Sequence, residues 1–119
     1  MILVVDDEES IRAFCEEILE KHGYQVLTAP DGEMALSIYQ EAKEEIDLVI
    51  LDVIMPGMGG RRCLEELLKM NPEAKVLVSS GYMLDEPPGA TRKTGAKRFI
   101  LKPYTLRDLL KVIREVLEE

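Results

Sequence analysis

Ile2-Leu3-Val4-Val5-Asp6-Asp7-Glu8-Glu9 opens the chain with an aliphatic run that stops abruptly in acid. A continuous apolar run of strand length, without the alternation of a half-solvated strand, describes a strand buried on both faces. Ile11, Phe14, Cys15, Ile18 and Leu19 then recur at helical spacing until His22-Gly23 supplies a stop. The unit is strand, acidic loop, helix. It recurs through a strand over 24–28, the turn Pro30-Asp31-Gly32 and a helical stripe of Met34, Ala35, Ile38, Tyr39 and Ala42. A third strand over 47–51 ends at Asp52 and leads through Met55-Pro56-Gly57 into a helix with Cys63, Leu64, Leu67 and Leu68 inward, closed by Asn71-Pro72. The fourth strand, 75–78, ends in Ser79-Ser80-Gly81. Pro87-Pro88-Gly89 then interrupts any helix, so a short one is expected within about 88–94. The fifth strand, 97–101, precedes Lys102-Pro103. Thr105-x-x-Asp108 reads as a capping box for a last helix with Leu106, Leu109, Leu110, Ile113, Val116 and Leu117 on one side.

Alternating strands and helices make the class α/β: a doubly wound, five-stranded parallel sheet with helices on both faces. At 119 residues the chain suits a single domain spanning 1–119. Hydrophobic residues make up 46% and charged residues 32%, the balance of a folded globular protein. A net charge of −8 argues against direct nucleic-acid or anionic-lipid partners. No run reaches the roughly 18 apolar residues of a membrane span and no leader pattern is seen, so the chain reads as cytoplasmic and off the membrane. Cys15 and Cys63 fall at apolar-phase helix positions and are expected in the core. His22, the single histidine, sits at a helix end, where it stabilises the terminus or is simply solvated.

In doubly wound sheets functional groups gather outside the carboxyl ends of the strands. The first strand delivers Asp6 and Asp7, the third Asp52, the fourth Ser79 and the fifth Lys102. Carboxylates brought to ~4 Å repel by roughly 4 kcal/mol per pair at an effective dielectric of ~20. Either one keeps its proton or a cation sits among them, and hard oxygen ligands with room for water and a phosphate oxygen suit Mg²⁺. Lys102 adds a point charge and Ser79 a hydroxyl donor, which leaves Asp52 as the nucleophile toward phosphorus.

Each residue also has a bland explanation. The acid pair would favour a helix N-terminus, Asp52 would be turn chemistry, Ser79 a helix cap and Lys102-Pro103 a surface turn. Their joint occurrence at four strand ends favours the chemical reading.

Leu3-Val4-Val5-Asp6-Asp7, the stretch from Leu48 through Asp52 to Met55-Pro56-Gly57, and Phe99-Ile100-Leu101-Lys102-Pro103-Tyr104 together resemble the receiver domain of bacterial two-component response regulators. The resemblance covers essentially the whole chain. It, and not the spacing, implies a flavodoxin-like strand order of 2-1-3-4-5. It implies Asp52 as phosphoacceptor, Mg²⁺ served by Asp6, Asp7, Asp52 and the Ile54 backbone carbonyl, and Lys102 and Ser79 on the phosphoryl group. Ser79, Phe99 and Pro103 would form the switch, with a cis peptide before Pro103. The donor implied is a phosphohistidine on a histidine kinase or phosphotransfer protein. An output domain or fused sensor kinase would lie outside the chain. Such a domain catalyses its own phosphorylation and dephosphorylation without turning over a small substrate. Gly59, Ser79 and Pro87-Pro88-Gly89 depart from the usual family pattern, and Ser80-Gly81-Tyr82 is similar to receivers fused to sensor kinases.

The rivals are a flavodoxin-like flavin or nucleotide binder, a metal-dependent phosphatase and a receiver-like module that only binds partners. The first wants a Gly-rich phosphate loop where Asp6-Asp7-Glu8-Glu9 stands. The second wants an acid at position 54, which is Ile.

Overall fold

The computed structural model describes residues 1–52, 60–80, 98–101 and 105–118. Strands β1 (Ile2–Val5), β2 (Val26–Ala29), β3 (Leu48–Asp52), β4 (Val76–Ser80) and β5 (Arg98–Leu101) pair in parallel in the order β2-β1-β3-β4-β5. Helices α1 (Glu9–Lys21), α2 (Gly32–Ala42), α3 (Gly60–Met70) and α4 (Leu106–Glu118) complete the described elements. The helix expected within about 88–94 lies outside the described residues.

Period-two alternation sorts the buried strands into two cores. Leu3, Val5, Val49, Leu51, Val76 and Val78 face α2 and α3, where they meet Ala35, Tyr39, Cys63, Leu64 and Leu67. Ile2, Val4, Leu48, Ile50 and Leu77 face α1 and α4, meeting Cys15, Leu19, Leu109, Ile113 and Val116. Helices thus cover both faces of the sheet. Each fully buried aliphatic side chain contributes about 1.5–3 kcal/mol of transfer free energy, so the central strands, apolar on both sides, hold the fold. Both cysteines are buried in these cores, and neither is in a disulfide.

Two stripe assignments are corrected. Phe14 is 37% and Met34 49% exposed. Each lies at the edge of its helix's apolar arc, and the sheet covers only the middle of that arc. Strand limits also move: β2 begins at Val26, two residues later than expected, while β3 and β4 extend to take in Asp52 and Ser79.

The helix ends are set locally. His22 caps α1, its Nδ1 lying 2.9 Å from the Ile18 carbonyl, and Gly23 turns the chain at φ +90°. Asp31 caps α2 by accepting the Met34 N–H at 2.8 Å. Thr105 Oγ1 accepts the Asp108 N–H at 3.1 Å, as the capping-box reading requires.

Candidate functional site

The direction of strand addition reverses at β1: β2 lies on one side, and β3, β4 and β5 follow on the other. The crevice beyond the carboxyl ends of β1 and β3 is therefore where a ligand site belongs. Val5 pairs with Leu51, so Asp6 and Asp52 follow at the next position of neighbouring strands; Asp52 in turn pairs directly with Ser79. Neighbouring strands run about 4.8 Å apart, which sets Asp6, Asp52 and Ser79 abreast across three strand ends. By the pleat all three continue the alternation on the α1 and α4 face.

All three are buried: Asp6 is 2%, Asp52 4% and Ser79 1% exposed. This removes the bland explanations for two of them. A turn aspartate or helix-capping serine would sit in solvent, whereas Asp52 and Ser79 lie within buried strands. Burying two carboxylates side by side is costly unless each is paired or hydrogen-bonded. Among the described residues no buried side-chain oxygen or nitrogen lacks a hydrogen-bond partner.

The loop after β1 is held at Asp6. Its N–H donates to the Ala29 carbonyl at 3.1 Å, extending the β1–β2 ladder by one residue. Its Oδ1 accepts the Glu8 N–H at 2.9 Å, and its carbonyl accepts Arg12 Nη1 at 2.7 Å. Glu8 occupies the N-cap of α1 without a side-chain capping bond, so neither Asp6 nor Asp7 serves as the cap. The acids have a different use.

Carboxylate oxygens of Asp6, Asp7 and Glu8 all lie within 4.8 Å of one another. Two unit charges at that separation repel by about 1 kcal/mol in water and about 3.5 kcal/mol at an effective dielectric of 20. Water screens the exposed Asp7 and Glu8, but buried Asp6 gains little from it. An all-oxygen donor set with one buried and two exposed carboxylates matches a small hard divalent ion that keeps part of its water shell, which is the preference of Mg²⁺. The donor chemistry therefore fits such an ion.

Of the residues singled out from the sequence, Asp6, Asp7, Asp52 and Ser79 come to one edge of the sheet. Phe99 stands in β5 opposite Val78. Ile54, Lys102 and Pro103 lie outside the described residues. Two residues were overlooked. Glu8 was legible as part of the acidic run. Arg12 is the single basic side chain in the first twenty residues, but its role depends on a backbone contact that sequence spacing does not reveal.

Comparison with known proteins places the chain in a family. The family model described as "Response regulator receiver domain" matches residues 2–114. Sensor kinase CckA of Brucella abortus is 36% identical over 118 residues, covering 99% of this chain and 12% of the kinase. The probable transcriptional regulator ycf27 of Cyanophora paradoxa is 40% identical over 117 residues, covering 98% of this chain and 47% of the regulator. The chain thus spans less than half the length of either relative. Among solved structures, the CheX-CheY-BeF3-Mg+2 complex from Borrelia burgdorferi superposes with a TM-score of 0.92 at 31% identity, covering 97% of this chain and 87% of that one.

Proposed function

The chain belongs to the response regulator receiver domain family of two-component signalling, and on that premise we propose that Asp52 is its phosphoacceptor, working with Mg²⁺ held by Asp6 and Asp7. The observation that carries this reading is the buried row of Asp6, Asp52 and Ser79 at the point where strand order reverses. A carboxylate buried at that place, beside a second carboxylate and a hydroxyl, supports a chemical role for Asp52.

In the proposed step a carboxylate oxygen of Asp52 attacks phosphorus in line with the phosphorus–nitrogen bond of a donor phosphohistidine. That bond breaks, its electron pair stays with the imidazole, and an aspartyl phosphate remains. Mg²⁺ held at this site would supply positive charge for the phosphoryl group. The Ser79 hydroxyl donates to one of those oxygens, and Lys102 would balance another. Asp6 and Asp7 would hold the ion, and the family resemblance adds Asp52 and the Ile54 carbonyl as its further ligands. BeF3 and Mg+2 in the name of the Borrelia complex support the assignment of the ion. Hydrolysis of the aspartyl phosphate returns the domain to its starting state. No small substrate is turned over.

The new charge would bias a two-state element through Ser79, Phe99 and Pro103, altering the face formed by β5, α4 and the helix expected before β5. The partner upstream would be a histidine kinase or phosphotransfer protein. We take residues 1–119 as one receiver domain acting in the cytoplasm, with any output domain or sensor kinase in further sequence. The net charge of −8 supports a protein partner over nucleic acid.

The test is intact-mass measurement after incubation with a small phosphodonor and Mg²⁺. Wild type gains one phosphoryl group, and Asp52→Asn, nearly equal in volume, gains none while keeping its fold. Phosphoryl uptake by Asp52→Asn at the wild-type rate would show that Asp52 is not the acceptor.

A further inference from the structure

We infer that Arg12 is a positioning residue for the cation site: by gripping the Asp6 carbonyl it fixes the Asp6–Asp7 peptide and so aims the carboxylates of both residues at the ion. This rests on the proposed Mg²⁺ site. Three contacts hold Asp6: its N–H donates to the Ala29 carbonyl, its Oδ1 accepts the Glu8 N–H and its carbonyl accepts Arg12. The Arg12 contact is the shortest of the three, at 2.7 Å, and the only one supplied by a charged donor.

A carbonyl oxygen, its carbon, the following N–H and the next Cα share one rigid plane. Holding the Asp6 oxygen therefore fixes the plane that carries the Asp7 Cα, from which the carboxylate that meets Asp6 and Glu8 projects. Asp7 is exposed and has no packing of its own to do this. The clamp is also short. The Arg12 N–H bonds to the Glu8 carbonyl at 3.1 Å, so the guanidinium reaches back over the loop from a backbone anchored to that same loop. Loop and first helical turn form one closed unit around the acids.

The sign of the effect separates this role from simple electrostatics. A guanidinium next to a divalent-ion site repels the ion, so on charge alone Arg12→Met would tighten Mg²⁺ binding. A residue that orients ligands acts the other way, and losing such a group typically weakens metal affinity by about 10- to 100-fold.

The experiment is calorimetric titration of Mg²⁺ into the full chain, below the unfolding range of every variant as established by circular dichroism. Wild type is expected to bind. Arg12→Met should bind about tenfold more weakly or worse. Arg12→Lys, which keeps the charge and one donor but loses the planar fork, should fall in between. Lys69→Met, which removes an exposed cation at the far end of α3, should match wild type. A merely structural arginine would lower the melting temperature without changing affinity in the folded range. Equal or tighter binding by Arg12→Met overturns the inference. Should Arg12→Met not fold, Arg12→Lys decides: affinity below wild type supports the clamp, and wild-type affinity overturns it. Failure of the wild-type chain itself to bind Mg²⁺ would instead overturn the proposed site, and the clamp with it.

Discussion

Cys63 illustrates how burial silences a reactive group. Its thiol lies 3.8 Å from the Gly32 carbonyl, and burial, reinforced by the nearby Asp31 charge, pushes its pKa from 9.0 up to about 12. Below 9.0 both folded and unfolded chains keep the proton, so burial of the neutral thiol carries no penalty. Between 9.0 and about 12 the unfolded chain releases the proton while the folded chain holds it, and stability falls as pH rises. The slope reaches at most about 1.4 kcal/mol per pH unit. Urea titrations of wild type and Cys63→Ala across this range should therefore converge in stability as pH increases, with wild type losing the more. Parallel pH profiles for the two proteins would refute this account. The expectation from sequence that both cysteines pack in the core holds, because apolar phase on a helix places a small thiol inward whatever the strand order.

The elements end where local chemistry tells them to. Gly23 turns the chain after α1 at φ +90°, a conformation L residues enter only with strain, and a methyl group there would meet nothing within 4 Å. Gly23→Ala should therefore cost about 1–2 kcal/mol through the backbone alone, measured as a lower urea midpoint with an unchanged slope. A neutral result would mean that the turn readjusts without loss. Such stops were legible: His22-Gly23, Asp31 before α2 and Thr105 before α4 all act within a few residues of themselves. The apolar stripes were read too widely. Phe14 and Met34 have helical phase but sit on flanks that the sheet does not reach, because the width of contact depends on what the helix packs against.

Two apolar cores clamp the sheet from both sides, and Asp6, Asp52 and Ser79 lie buried at the carboxyl ends of its strands. Phosphorylation of Asp52, as proposed, would add charge there without requiring the apolar cores to unpack. Binding of Mg²⁺ to the folded chain alone must stabilise it by linkage, about 1.4 kcal/mol at a free concentration ten times the dissociation constant. With millimolar to submillimolar affinity, as expected for a few carboxylates, excess Mg²⁺ should raise the melting temperature by several degrees over an NaCl control of matched ionic strength. A melting temperature that does not respond would count against the cation site.

Taken alone, the amino-acid order determined the types and order of the described elements and the helix stops at His22-Gly23, Asp31 and Thr105. These depend on hydrophobic period and turn chemistry within windows of a few residues. The tertiary structure decided that β1 lies between β2 and β3, which brings Asp6 beside Asp52, and that β3 and β4 run on far enough to bury Asp52 opposite Ser79. It also decided that Arg12 reaches back to the Asp6 carbonyl. Strand pairing and that backbone contact join groups whose meeting is set by packing of the assembled sheet and helices, and no local pattern of residue types specifies which of them become neighbours.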